Sequence, residues 1–278
     1  MRILCKAIMK KRHINSISCG QGAPSVFLIW LAGQGLFPCD VVIVADTGNE
    51  NDMLWSNGRR TDARTFFNGV TKPLAEKNGM DAAFVRAVDK SKQPIPALHL
   101  DQRYNDKVEI DMPLFGSNGG RLRQSCTDKW KKRAIKQELR RRGAKTATVR
   151  LGLMVDELHR VKQSKTIWET LDWPLVMTLR EGGKRGWRRG EIQAEMKRLN
   201  IPYVVRSQCD YCPHKNLFRW RTSSPETVQA AADWENEVGK GDFYLTSHRI
   251  PLFDAIDLME SRQSIGMFDA CDSGFCFT

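Results

Sequence analysis

Residues Ser18 to Ser25 read S-C-G-Q-G-A-P-S, a run of small residues between an apolar stretch and a helix-like stretch, and the chemistry it suits is phosphate binding. Glycine lets a backbone turn through positive φ and approach an anion closely, while the N–H groups that open a following helix add donors and a partial positive charge. Ser18, Gly20, Gly22 and Ser25 are therefore the candidate phosphate ligands. The order G-x-x-x-x-G-K-[ST] is absent, and Ser25 stands where a dinucleotide fingerprint has its third glycine, so neither familiar loop fits. Thiols form the second chemical group. Cys209 and Cys212 make a C-x-x-C pair, and Cys271 and Cys276, in C-D-S-G-F-C, make a second, wider pair near the C-terminus. Four thiolates brought together suit an iron–sulfur cluster or tetrahedral zinc. Cys126 is an alternative fourth ligand. Two buried thiols beside a turn are the plain reading of Cys209 and Cys212.

The elements that must hold these residues follow from apolar patterning. Ile14 to Ser18 reads as a short strand and Ala23 to Gln34 as a helix, with Pro24 suited to a first helical turn. Val41 to Ala45 is β-branched and nearly continuous, as in a strand buried on both faces of a parallel sheet. It runs into Asp46-Thr47-Gly48-Asn49-Glu50. In an open α/β sheet ligands collect at the carboxyl ends of strands, so the two polar turns are expected on one edge, close together. Further along, the pattern predicts a helix around Thr61 to Asn78 and a strand near Ala82 to Ala87. It then predicts a helix over Lys129 to Arg142, and a strand from Thr146 to Leu153 that runs into Asp156-Glu157. Helices are expected at Gly190 to Leu199 and at Pro225 to Val238, the latter capped by Ser224. The segment from Asp89 to Ser125 is rich in turn signals and is left unassigned.

A chain of 278 residues with 41% hydrophobic content can bury one substantial core, or a main core with a smaller lobe. No stretch approaches the roughly 20 apolar residues of a membrane span, and Met1 to Arg12 lacks the long apolar block of a secretory signal. A cytoplasmic protein with no membrane contact is expected. The net charge of +12 implies anionic partners. Eight basic side chains against Glu138 alone lie within Lys129–Arg142, and a second cluster spans Lys184–Arg189. Each is read either as a solvated helix face or as a surface for DNA, RNA or polyphosphate.

The order and spacing of these motifs resemble the phosphoadenosine phosphosulfate reductase-like family within the adenine nucleotide α-hydrolase (PP-loop) superfamily. That family carries an S-x-G-G-x-x-S loop, a D-T-G-x-E turn, a C-T segment, a G-x-x-x-D-E-x-x-R segment and a late C-x-x-C-P. The counterparts here are Ser18 to Ser25, Asp46 to Glu50, Cys126-Thr127, Gly152 through Asp156, Glu157 and Arg160, and Cys209 to Pro213. The resemblance implies an α/β fold with an open, mostly parallel twisted sheet flanked by helices. It also implies a nucleotide-binding part over residues 1–165 and a helical, cysteine-bearing part over 166–278. An adenine nucleotide, ATP with Mg2+, is expected at the first loop, with Thr47, Gly48 and Asp156 beside it and chemistry at the α-phosphorus. Asp46 and Glu157 are the expected metal- or ribose-positioning groups, joined by Glu50, and Arg160 the group that offsets negative charge. Relatives that thiolate tRNA or phosphorothioate DNA tip the cysteines towards a [4Fe–4S] cluster over Zn2+.

The sequence departs from this pattern at Pro24, which replaces an aspartate of the commoner loop and offers neither a carboxylate nor an N–H. Three readings follow. The first is an ATP α-phosphate hydrolase or adenylyl-transferring enzyme supporting sulfur transfer to nucleic acid. The second is a non-catalytic nucleotide- or nucleic-acid-binding accessory protein of a mobile-element or CRISPR defence system. The third is a sulfonucleotide reductase, which the tail from Cys271 to Cys276 makes less apt, because it lacks the family's glutamate-cysteine-glycine segment.

Overall fold

The computed structural model describes residues 12–98, 102–104, 107–164, 166–178, 180, 183, 185–205 and 207–261. Cys271, Cys276 and Lys184 lie outside the described residues. The chain runs β1 (His13–Ser18), α1 (Ala23–Gly33), β2 (Val41–Ala45), the short strands β3 (Met53–Leu54) and β4 (Arg60–Thr61), then α2 (Ala63–Phe66), α3 (Lys72–Lys77) and β5 (Asp81–Val85). Short strands β6 (Gln102–Tyr104), β7 (Lys107–Glu109) and β8 (Phe115–Gly116) precede α4 (Arg133–Arg141), β9 (Thr146–Leu151) and β10 (Glu169–Asp172). Five helices follow, α5 (Pro174–Met177), α6 (Arg189–Arg198), α7 (Leu217–Arg221), α8 (Pro225–Trp234) and α9 (Leu252–Ser261), with β11 (Phe243–Tyr244) between the last two.

Five strands form one parallel sheet in the order β10-β9-β1-β2-β5. Side chains alternate across it with the period of two that a strand imposes. Ile17, Val42 and Val44 enter one core with α1, whose residues Val26, Phe27, Leu28 and Ile29 are all fully buried. Ile14, Val41, Ile43 and Val149 enter another with Ile135 and Leu139 of α4. Helix α1 is apolar all round, A-P-S-V-F-L-I-W-L-A-G, because it is enclosed, and Leu175, Ile192, Met196 and Val204 join the same core. A further core gathers Leu98, Met112, Leu114, Trp130, Cys209, Cys212 and the C-terminal helices, with Trp220 and Trp234 packed inside it. Tryptophan there fills volume.

Helix boundaries differ from the sequence expectation where the backbone widens. A π-helical turn at Phe67–Thr71 joins α2 to α3, another at Thr127–Lys132 leads into α4, and a third at Glu235–Gly239 follows α8. Ser224 caps α8 as expected, its side chain accepting from Thr227 N.

Candidate functional site

β1 and β2 are hydrogen-bonded neighbours in register Ser18↔Ile43, and Cys19 N donates to Ile43 O at 2.9 Å. The turns that follow them therefore emerge on the same sheet edge. From β1 the chain builds outward through β2 and β5 on one side, and through β9 and β10 on the other. The β1/β9 boundary is thus a topological switch point, where open α/β sheets bind ligands.

The glycine turn differs from the sequence expectation in one respect. Its left-handed residue is Gln21, at φ 64°, and neither Gly20 nor Gly22 takes that conformation. A Cβ added at Gly20 would meet only Ser207 Oγ at 3.6 Å, and one at Gly22 would approach nothing closer than 3.9 Å. Neither backbone strain nor a close protein neighbour requires glycine at these two positions, where a side chain would make only ordinary contacts with Ser207 and Val204. Ser25 Oγ donates to Gly22 O at 3.1 Å, and Ser18 is buried at the strand end. Burial pushes the Cys19 thiol up to about 11 although it donates to Ser25 Oγ and accepts from Gln21 N, which leaves it protonated and inert near neutrality.

The other two turns of this edge are closed. Gly152, just past β9, abuts the start of α1 so tightly that a Cβ there would sit 2.9 Å from Ser25 N. At the second turn Asp46 accepts from Gly48 N at 2.8 Å and pairs with Arg86 at 2.9 Å. Gly48, at φ 70°, leaves no room for a side chain against Arg86 and Ala97. Asp156 accepts from Arg188 Nη1 and Arg189 N, both at 2.9 Å. Buried Glu157 pairs with buried Arg160 at 2.6 Å and with Arg189 at 3.8 Å. Asp46, Asp156 and Glu157, which the sequence offers as metal or ribose ligands, thus each grip a guanidinium.

The cysteines converge in part. Cys126, Cys209 and Cys212 line a single pocket with Lys131 and His214. All three are thiols. Among the described residues, no three His, Cys, Asp or Glu side chains are arranged to hold a metal ion. Three thiols and an imidazole lining one cavity are donors of the type a thiophilic metal or cluster takes, although the described side chains are not grouped to hold one. His214 is buried against Arg121, and burial, then the Arg121 and Arg160 charges, lowers it to about 4. It is neutral at physiological pH.

The second turn reaches this pocket. The Cys209 thiol lies 3.8 Å from Glu50 Oε1 and 3.9 Å from Thr47 Oγ1, and buried Glu50 pairs with buried Lys131 at 3.0 Å. Thr127 and Lys131, four residues apart on the π-helical turn, both face the cavity. Asp111, which the sequence did not single out, holds the third thiol in place. Its carbonyl accepts from Ser125 N and Cys126 N, each at 3.1 Å, and its carboxylate pairs with Lys129 at 2.7 Å. Half-buried Lys215 braces the C-x-x-C turn by donating to Asp210 O at 2.6 Å, and desolvation brings its pKa down to about 8.

The Lys129–Arg142 helix turns most of its charge on the protein itself. Lys129, Lys131 and Lys132 pair with Asp111, Glu50 and Asp128, and Arg141 and Arg142 both grip Glu138. Arg141 holds Glu138 below the usual carboxylate range. Arg140 lies 4.3 Å over the Trp168 ring.

No family model matches the chain, and no curated protein matches it. Among solved structures, the U34-tRNA thiolase NcsA from Methanococcus maripaludis with its [4Fe-4S] cluster is similar at 13% identity and a TM-score of 0.40, over 94% of this chain and 76% of that one. Among the described residues no helix is long and apolar enough to cross a membrane.

Proposed function

We propose that the chain is an ATP-dependent enzyme acting at the α-phosphate, a hydrolase or adenylyl transferase that supports sulfur transfer to a nucleic acid. Membership of the phosphoadenosine phosphosulfate reductase-like family is part of the proposal. The observation that carries it is the bare backbone of Gly20 and Gly22 at the switch point of a parallel sheet, where neither strain nor any protein atom closer than 3.6 Å accounts for the glycines.

In this reading Ser18, Gly20, Gly22 and Ser25 receive the phosphates of MgATP, with the α1 N-terminus supplying partial positive charge. Thr47 and Gly48 flank the nucleotide. Asp46, Asp156 and Glu157 act through the arginines they orient, so Arg86, Arg160, Arg188 and Arg189 form a fixed cationic edge against charge developing on the phosphoryl oxygens. The acceptor attacks the α-phosphorus and pyrophosphate leaves. Cys126, Cys209 and Cys212 would hold a [4Fe–4S] cluster, or Zn2+, with Cys271 or Cys276 as the fourth thiolate. Such a centre supplies a thiophilic site for the sulfur to be delivered. Thr47 and Glu50 connect that pocket to the nucleotide edge.

One observation favours the accessory-protein reading. Pro24 takes the place of a loop carboxylate, and the nearby carboxylates are bound to arginine. The two readings separate when the anaerobically purified chain is incubated with α-labelled ATP and magnesium, with and without DNA or RNA, alongside Ser18→Ala. Labelled AMP or an adenylylated product that disappears in the variant supports the enzyme. Tight ATP binding without product supports the accessory protein, and sulfite released from a sulfonucleotide would support the reductase.

A further inference from the structure

The glycine turn and the cysteine pocket are tied together through one residue. Gln21 is 1% exposed and sits at φ 64° between two glycines that adopt that conformation more readily. Its Nε2 donates to Ala63 O at 2.9 Å, while its Oε1 is buried with no partner. Ala63 N donates to Glu50 O at 2.8 Å, and the Glu50 carboxylate lies on Lys131 and the Cys209 thiol. The adjacent Asn49 O accepts from Asp210 N at 2.8 Å, and the Asp210 carboxylate accepts from Asn51 N and Asp52 N. A second tether runs along the backbone. Gln21 O accepts from Val204 N at 3.0 Å, and Val205 N donates to Leu54 O at 2.8 Å, five and four residues before Cys209.

A left-handed non-glycine residue and an unpaired buried amide oxygen both cost stability. They persist where the surrounding structure holds them, and here the surroundings are the two tethers. We infer that Gln21 is a positioning residue: it sets the Glu50 end of the second turn, and with it the Cys209–Cys212 turn, relative to the phosphate loop. A polyphosphate that shifts the loop backbone at Gln21 moves Ala63 O and Val204 N with it. This last step rests on the nucleotide reading above, whereas the positioning role does not.

Hydrogen exchange on the full chain tests it, with Gln21→Gly and Gln21→Asn as the variants. Asparagine tolerates the left-handed region but is one methylene short of Ala63. Opening confined to one cooperative unit should raise exchange about fivefold or more in peptides covering residues 47–52 and 207–213 in both variants, and leave β9 and β10 unchanged. MgATP should slow those same peptides in the wild type and not in the variants. Unchanged exchange at 207–213, or a rise spread equally over β9 and β10, overturns the positioning role, because the second pattern is ordinary destabilisation. ATP that binds the wild type in equilibrium dialysis without altering 207–213 overturns the communication step. Failure of ATP to bind at all removes the nucleotide reading, and the ligand-free comparison still decides the role of Gln21.

Discussion

The turn after β1 and the turns after β2 and β9 lie on one sheet edge, yet their glycines do opposite things. Gly48 and Gly152 are present because a side chain would collide with Arg86, Ala97 or the start of α1. Gly20 and Gly22 are present where a side chain would meet only ordinary contacts. The closed turns and the pocket beside them have their carboxylates paired with Arg and Lys side chains, so changes there should appear as lost stability. The open turn has bare backbone left over, so changes there should appear as lost binding.

The largest effect is expected in the closed region at Lys131. Removing one member of a buried ion pair leaves an uncompensated charge, and Lys131→Met should destabilise the fold by about 3–5 kcal/mol. The double variant Glu50→Met with Lys131→Met should recover most of that, both read from denaturant midpoints. His214 comes next. Its pKa is about 6.5 in the unfolded chain and about 4 in the fold, so the unfolded chain takes up a proton that the fold refuses. Stability associated with this residue is present above pH 6.5 and falls as the pH drops towards 4, by about 3 kcal/mol in all. In EDTA, which removes any contribution from metal release, the wild type should lose melting temperature over that range more steeply than His214→Gln. Equal slopes would place the titration elsewhere.

Gly152→Ala should cost about 1–3 kcal/mol through overpacking, a drop of several degrees in Tm for a chain of this length. A wild-type melting curve for this variant would mean that the seam between β9 and α1 can relax, and the contrast between open and closed turns would weaken.

What the sequence made legible follows from how local each interaction is. β2 was readable because V-V-I-V-A is apolar on both faces, as a central parallel strand must be, and α1 because Pro24 and Gly33 bracket a continuous apolar run. The segment from Asp89 to Ser125 was not, because its backbone partners come from far away: Leu98 N donates to Thr47 O, and Phe115 and Gly116 pair with Tyr244 and Phe243. The π-helical turns were also invisible, since each spans only five or six residues, too few to show a period of their own. At the site, Asp46 stood out as an acid after a strand, but Arg86, forty residues on, decides what that acid does. Gln21 carries no such signal, because its partners Ala63 and Val204 lie far along the chain.

The smallest effect on stability belongs to Gly20→Ala, and it is the most informative. The new methyl would lie 3.6 Å from Ser207 Oγ, an ordinary contact, and the backbone there is not left-handed. The melting temperature should therefore stay close to that of the wild type, because surface or uncrowded substitutions usually fall within about 0.5 kcal/mol. MgATP binding should nevertheless fall by about tenfold or more, because a methyl on the cradle keeps the phosphate oxygens from the backbone N–H groups, and losing one charge-assisted hydrogen bond is of that order. Calorimetric titration beside a melting curve separates the two quantities. Lost stability with unchanged affinity would mean that the turn serves the fold, making Gly20 the same kind of glycine as Gly152. Unchanged stability with lost affinity would mean that the bare backbone serves the nucleotide.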